Sequence, residues 1–250
     1  TAAAHALESA RMDTTYHGSA TEDAQIPGEE MPLYQDSVLH FASLADAEYY
    51  TLENEKIRLV ISSRGAQPAE VEIKNYYTYD SSALILIRDG KSSFEYEINT
   101  NQWLNTGDLT FSLVSQSEHN VILRLYFAAH SYIEAVYSLA EESYMVDYNL
   151  RFVNMDGILD RRTTQLRLHW NADVPHLEKG YKNEKNYSAV AFRFSGTKDV
   201  KNLGMRKDSA KESFSANLRW FGFRQQFFSA ILVAENNFVG GTLENKFYAE

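Results

Sequence analysis

Histidines are the side chains best suited to acid–base or metal chemistry near neutral pH, and the seven in this chain are scattered. His5, His17 and His40 lie in an acidic front segment, and His119 sits in the turn Ser117-Glu118-His119-Asn120. His130 ends a strand, and His176 lies in a long polar loop. No two stand at the spacing of a metal-ligand pair. His169 is the exception worth weighing, mid-strand between Leu168 and Trp170, on the face shared by Gln165 and Arg167. A His paired with a carboxylate across a sheet can act as acid or base. That face is the polar one, so an exposed structural His is the simpler reading, and the sequence names no partner for it. Glu141-Glu142 fall in a turn, where solvation explains them. Asn186-Tyr187-Ser188 matches a glycosylation sequon, but so short a match carries no weight. There is no Gly-rich phosphate loop, no G-x-S-x-G and no H-E-x-x-H. With no cysteine, disulfides and Cys-based metal sites are excluded. The residues thus point to no catalytic group, no metal site and no cofactor.

The elements available to position any site are strands. The chain has 250 residues, 44% of them hydrophobic, enough to bury a sizeable core, and it is rich in Tyr and Phe, which suit a pleated, half-buried surface. In SYMVDYNLRFVN, Tyr144, Val146, Tyr148, Leu150 and Phe152 face one way, against Met145, Asp147, Asn149 and Arg151. That alternation predicts a half-buried strand. KIRLVISS, AEVEIKNY, FEYEI, VILRLYF, YIEAVYSLA and TQLRLHWN repeat it, separated by short turns such as Asp89-Gly90 and Asn154-Met-Asp-Gly157. ADVPHLEKGYKNEKN reads as a long surface loop, and TKDVKNLGMRKDSAKESF as an exposed excursion holding at most one helical turn. FVGGTLENKFYAE reads as a hairpin of two edge strands. This predicts an all-β, antiparallel sandwich with little helix.

The net charge of −10 is uneven. Residues 1–47 carry one cation, Arg11, against eight acids, and with Pro27, Gly28 and Pro32 they read as a largely flexible linker. Within it, AAAHALESARM could form a frayed helix and SVLHFASLADAEYY has a weak apolar pattern; either could dock on the domain. Neither part offers the basic stripe that nucleic acid demands. No run of 18 apolar residues exists.

The densest apolar run is WFGFRQQFFSAILVAENN, residues 220–237. It is too short and too broken by Arg224, Gln225 and Gln226 to cross a bilayer, so it is expected to be buried in protein. FFSAILVA reads as a strand buried on both faces, or as a short buried helix; its β-branched and aromatic content and the Asn236-Asn237 turn signal favour the strand.

Four blocks, in order, carry a resemblance: TLENEKIRLVISSRGAQPAEVEIKNYYTYD, SYIEAVYSLAEESYMVDYNLRFVNMD, EKGYKNEKNY and WFGFRQQFFSAILVAENN. From Tyr50 to Glu250 the chain resembles the periplasmic domain of the bacterial membrane protein insertase YidC, in its Bacteroidetes-like form. Where that family usually has two glycines, Gly65 is here followed by Ala66. Trp220, Gln225, Gln226, Phe227 and Phe228 are the signature of the core stretch, with a structural role. The resemblance implies a β-supersandwich related to galactose mutarotase-like folds over residues 48–250, truncated at its C-terminal end. It implies that residues 1–47 tether the domain to a preceding N-terminal membrane helix, and that a membrane-helix bundle follows. The start at Thr1 rather than Met is expected of a fragment or a processed product.

The implied function is a non-catalytic scaffold or interaction domain at the periplasmic face of the inner membrane. It belongs to a protein that inserts and helps fold membrane proteins, alone or with the Sec translocon. The implied partners are Sec components, the SecD–SecF accessory part among them, and nascent membrane proteins through the membrane region. The alternative is a carbohydrate-binding or mutarotase-like protein, for which His169 or His130 would supply the His. A cleft for an extended peptide or lipid is a third reading, with Tyr132, Tyr137, Tyr148 and Tyr181 as lining candidates, although packing within the sandwich explains them equally.

Overall fold

The computed structural model describes residues 2–4, 37–100, 102–162 and 164–247. In chain order the elements are β1 (Ala2–Ala4), α1 (Ser37–Leu44), β2 (Tyr49–Glu53), β3 (Ile57–Ser62), β4 (Gln67–Tyr77), β5 (Ala83–Ile87), β6 (Ser92–Asn99) and β7 (Trp103–Asn105). After a short 3-10 turn come β8 (Ser112–Gln116), β9 (Asn120–Ala128), β10 (Ser131–Leu139), β11 (Val146–Val153), β12 (Arg167–Ala172), α2 (Tyr181–Tyr187), β13 (Ala189–Phe194), β14 (Lys201–Leu203), β15 (Ser209–Arg224) and β16 (Ser229–Lys246).

The strands form three sheets. One has nine strands in the order β14-β13-β15-β16-β1-β11-β10-β9-β8; the others run β2-β3-β4-β5 and β12-β6-β7. All pairings are antiparallel except those of β1, which lies parallel to both neighbours, Ala3 opposite Asp147 and Val233. The period-2 expectation holds closely. Val121, Leu123, Leu125 and Phe127 of β9 are all buried, as are Phe94, Tyr96 and Ile98 of β6 and Ile57, Leu59 and Ile61 of β3. Those inward faces meet in one core, which the large sheet shares with both small sheets. This is the sandwich the alternation predicts.

Three tyrosines stitch the layers together. Tyr137 of β10 pairs in register with Tyr148 of β11, and Tyr148 stacks on Tyr96 of β6, ring centroids 6.4 Å apart. The Tyr137 hydroxyl donates to the Ala66 carbonyl at 2.7 Å. Ala66, where the family resemblance leads one to expect glycine, sits at φ +46° directly after Gly65 at φ +76°. Burial pushes the phenols of Tyr96, Tyr137 and Tyr148 upward from the usual value. Tyr137 and Tyr148 are therefore core residues rather than cleft lining. Tyr132 lies edge-on to Tyr126 under the Arg124 guanidinium.

Several local readings need correction. The run at 220–237 is not one central strand: it is the distal end of the β15–β16 hairpin, with its turn at residues 225–228. The turn is closed by the Gln225 N–H bonded to the Phe228 carbonyl at 2.9 Å. Asn236-Asn237 lie inside β16, which continues unbroken to Lys246, so the expected terminal hairpin is instead one long strand kinked at Gly240 and Gly241. The excursion after Ser195 is in part strand: it holds β14 and the start of β15. The loop after Ala172 contains α2.

Within the acidic segment read as a linker, residues 37–44 form α1 docked on the domain. Leu39 is buried, and Arg64 donates to the carbonyls of Ser43 and Ala45 at 3.2 and 2.8 Å. The stretch AAAHALESARM beyond Ala4, and the rest of the segment up to residue 36, lie outside the described residues.

Candidate functional site

Glu184 is one of two buried glutamates among the described residues. Gly180 caps the start of α2, and its φ of +104° lets the chain turn sharply from the preceding loop into the helix. One turn later Glu184 points inward and is buried, an expensive position for a carboxylate unless it is fully bonded. It is. The Leu177 N–H donates to Oε1 at 3.0 Å, and the Glu178 N–H reaches Oε2 at 3.5 Å. His176 Nε2 lies 2.9 Å from Oε2, an ion-pair distance without hydrogen-bond geometry. The amide of Gln225, itself buried, reaches Oε1 at 3.4 Å and donates to the Pro175 carbonyl at 2.6 Å. One side chain thus fastens the 173–180 loop, α2 and the β15–β16 turn together. The Asn183 amide adds a second tie, to Gln226 at 3.3 Å.

The β4–β5 turn joins them as well. The Tyr79 N–H donates to the Leu177 carbonyl at 3.0 Å, and Leu177 packs with Leu84, Leu86 and Phe228. The β4–β5 turn is braced by Asp80, which accepts from the Thr78 hydroxyl and the Ser82 N–H; these bonds hold its carboxyl below the usual range. Aromatic rings continue the contacts outward: Tyr76 edge-on to Phe228 at 5.4 Å, Tyr79 on His176 at 5.5 Å, and His176 on Tyr181 at 5.9 Å.

The signature residues divide accordingly. Gln225, Gln226 and Phe228 converge here, Gln225 as a buried cross-link and Phe228 as part of a small apolar cluster. Trp220 is half-buried on β15, opposite Arg193 and Val233. Phe227 corrects the expectation of a buried stretch: it is 70% exposed at the turn tip, while its neighbour Phe228 takes the place against the apolar cluster of Leu84, Leu86 and Leu177.

His169 does have a carboxylate partner. Its Nε2 lies 3.1 Å from Glu97 Oε1 on the neighbouring strand β6, and Arg167 donates to the other oxygen at 2.8 Å. The sheet register that makes this pair, His169 opposite Glu95 and Arg167 opposite Glu97, is not visible in the local sequence. All three side chains are partly solvent-exposed, and the arginine shares the carboxylate. His130 contributes only its carbonyl, to the Asn154 amide. Among the described residues, no three His, Asp or Glu side chains converge as a metal site requires.

Comparison with known proteins then adds what geometry alone does not. The family model described as the YidC periplasmic domain matches residues 49–249. The membrane protein insertase YidC of Parabacteroides distasonis is 32% identical over 208 residues, covering 82% of this chain and 32% of that protein. Its counterpart in Porphyromonas gingivalis is 29% identical, covering 96% of this chain and 40% of that one. That of Bacteroides fragilis is 28% identical, covering 91% and 37%. The chain therefore spans between about a third and two-fifths of these relatives' length. Among solved structures, a galactose mutarotase-like protein from Lactobacillus casei aligns with a TM-score of 0.36 and 12% identity, over 70% of this chain and 75% of that one.

Proposed function

The chain belongs to the YidC periplasmic domain family, and from that premise we propose that it is the non-catalytic periplasmic scaffold of a membrane protein insertase. The observation that carries this reading is the family match across nearly all of the β-sandwich, from the first strand of the β2–β5 sheet to the end of β16. In this reading the domain stands at the periplasmic face of the inner membrane. It presents rigid sheet ends to partners while a membrane region performs insertion and assists folding. The partners proposed are components of the Sec translocon, the SecD–SecF accessory part among them, with nascent membrane proteins handled by the membrane region. The sharing of Glu97 between His169 and Arg167, all three partly solvent-exposed, supports a structural role for that pair.

Two measurements test the proposal. The coding frame beyond Glu250 is expected to continue into several apolar spans of about 20 residues with Lys and Arg biased to the cytoplasmic loops. A frame that ends within a few dozen polar residues overturns it. Photo-crosslinkers placed at exposed positions of the domain in the full protein are expected to trap SecD or SecF; products lacking both remove the partner half of the proposal.

A further inference from the structure

Exposed aromatic side chains gather at the end of the molecule that Glu184 fastens. Tyr76, Tyr77 and Tyr79 come from the end of β4 and its turn, Phe227 from the β15–β16 turn and Tyr187 from the end of α2; each is between 43% and 70% exposed. The segments that carry them pack together: Tyr76 lies on Phe228, Tyr79 on His176, and Asn183 is bonded to Gln226. Single exposed apolar residues need no explanation, but a cluster supplied by three separate segments and held by a buried polar network does. Four of the five rings are tyrosines, with an apolar body and a polar tip, the side chain that settles where hydrocarbon meets water.

The charges around the cluster are mixed. Lys179 and Lys182 are exposed beside it, and Lys185 is paired with Asp208. Asp80 braces its turn, and Asp173 and Glu178 stand on the loop. Such a near-balanced rim suits zwitterionic headgroups rather than a strongly charged partner. Tyr79 and Phe227 stand in turns, Tyr76 and Tyr77 at the end of β4 and Tyr187 at the end of α2, so exposed rings can enter a headgroup layer without any groove to receive a fixed shape.

We propose that the Tyr76–Tyr79 turn and the Phe227 tip form a membrane-contacting face, which rests the domain on the lipid headgroup layer. The inference rests on the insertase reading, which places a bilayer beside the domain. It gives the Glu184 network a purpose: the three segments keep their rings in one place relative to the sandwich.

The test is co-flotation of the 250-residue chain with vesicles of phosphatidylethanolamine and phosphatidylcholine. The expected result is measurable partitioning, insensitive to salt, that falls roughly tenfold in Tyr77→Ser/Phe227→Ser, equivalent to about 1.4 kcal/mol. Both side chains are more than two-thirds exposed, so the double variant is expected to keep the wild-type unfolding transition. Phe41→Ser, on the outer side of α1 beside β9, is the control and should leave partitioning unchanged. A Phe227→Trp variant should show quenching by lipids brominated near the headgroup. Absence of flotation, equal loss on Phe41→Ser, or an aromatic-dependent dimer in sedimentation without vesicle binding would each overturn the proposal. Failure here together with membrane spans in the reading frame would leave the insertase assignment standing and remove only this face.

Discussion

The Glu184 cross-link makes a quantitative demand on the fold. Glu184→Ala deletes the acceptor of the buried Leu177 N–H and the partner of His176, while Gln225 keeps its bond to the Pro175 carbonyl. A hydrogen bond to a charged group contributes about 1.5–3 kcal/mol, and a buried donor left without an acceptor costs about 1–3 kcal/mol. These ranges overlap because they describe the same broken bond, so a total near 3 kcal/mol is expected. For a domain of this size each kcal/mol lowers Tm by roughly 2–4 °C, which places the fall at about 6–12 °C. Urea unfolding and a thermal scan measure the global loss. Amide hydrogen exchange separates it from local loosening: Leu177 and Gln225 should lose protection ahead of β9 and β10, because the loop can open while the core stays intact. A variant within 0.5 kcal/mol of wild type, with the Leu177 amide still protected, would refute the reasoning. It would mean that the loop is held by its apolar contacts with Leu84, Leu86 and Phe228 alone.

Other outcomes follow from the same structure. Tyr137→Phe removes the hydroxyl donor of the buried Ala66 carbonyl and should cost about 1–3 kcal/mol in urea unfolding, with a smaller effect if the turn can relax toward solvent. Gly222→Ala should destabilise by roughly 1–3 kcal/mol, since a Cβ there would stand 2.2 Å from the Ala230 carbonyl oxygen and 2.7 Å from the Ile231 Cα. Alkaline stability should fall steeply above about pH 10. Tyr96, Tyr137 and Tyr148 have raised pKa values in the fold, so the unfolded chain loses those protons first, and stability present below pH 10 is lost as pH rises toward the folded values. Three such groups give a slope of about 4 kcal/mol per pH unit, checked by following unfolding against phenolate absorbance. Tyr50, pushed up to about 12 by burial and by its bond to Glu48, should ionise later than the exposed tyrosines.

How far the sequence led depended on whether a feature was local. Strands that bury one face write themselves into the chain at period two, because successive side chains point to opposite sides; β3, β6, β9 and β11 could be read residue by residue for that reason. The family blocks were legible too, since they preserve runs of neighbouring residues. α2 was not, because its one buried residue is a glutamate, and a helix with no apolar stripe has no periodic signal to find. The turn at 225–228 was hidden because it lacks Gly, Pro, Asn and Asp, and apolar residues run through both of its flanks. The partner of His169, the cross-link from Glu184 to Gln225 and the gathering of Tyr76, Tyr79 and Phe227 at one end all join residues far apart in the chain. Alternation can place a side chain on a face, but only the pairing of strands and the packing of loops decide what it meets there. The sequence alone therefore determined the strand-rich sandwich and the family, while tertiary structure decided which polar groups and rings converge.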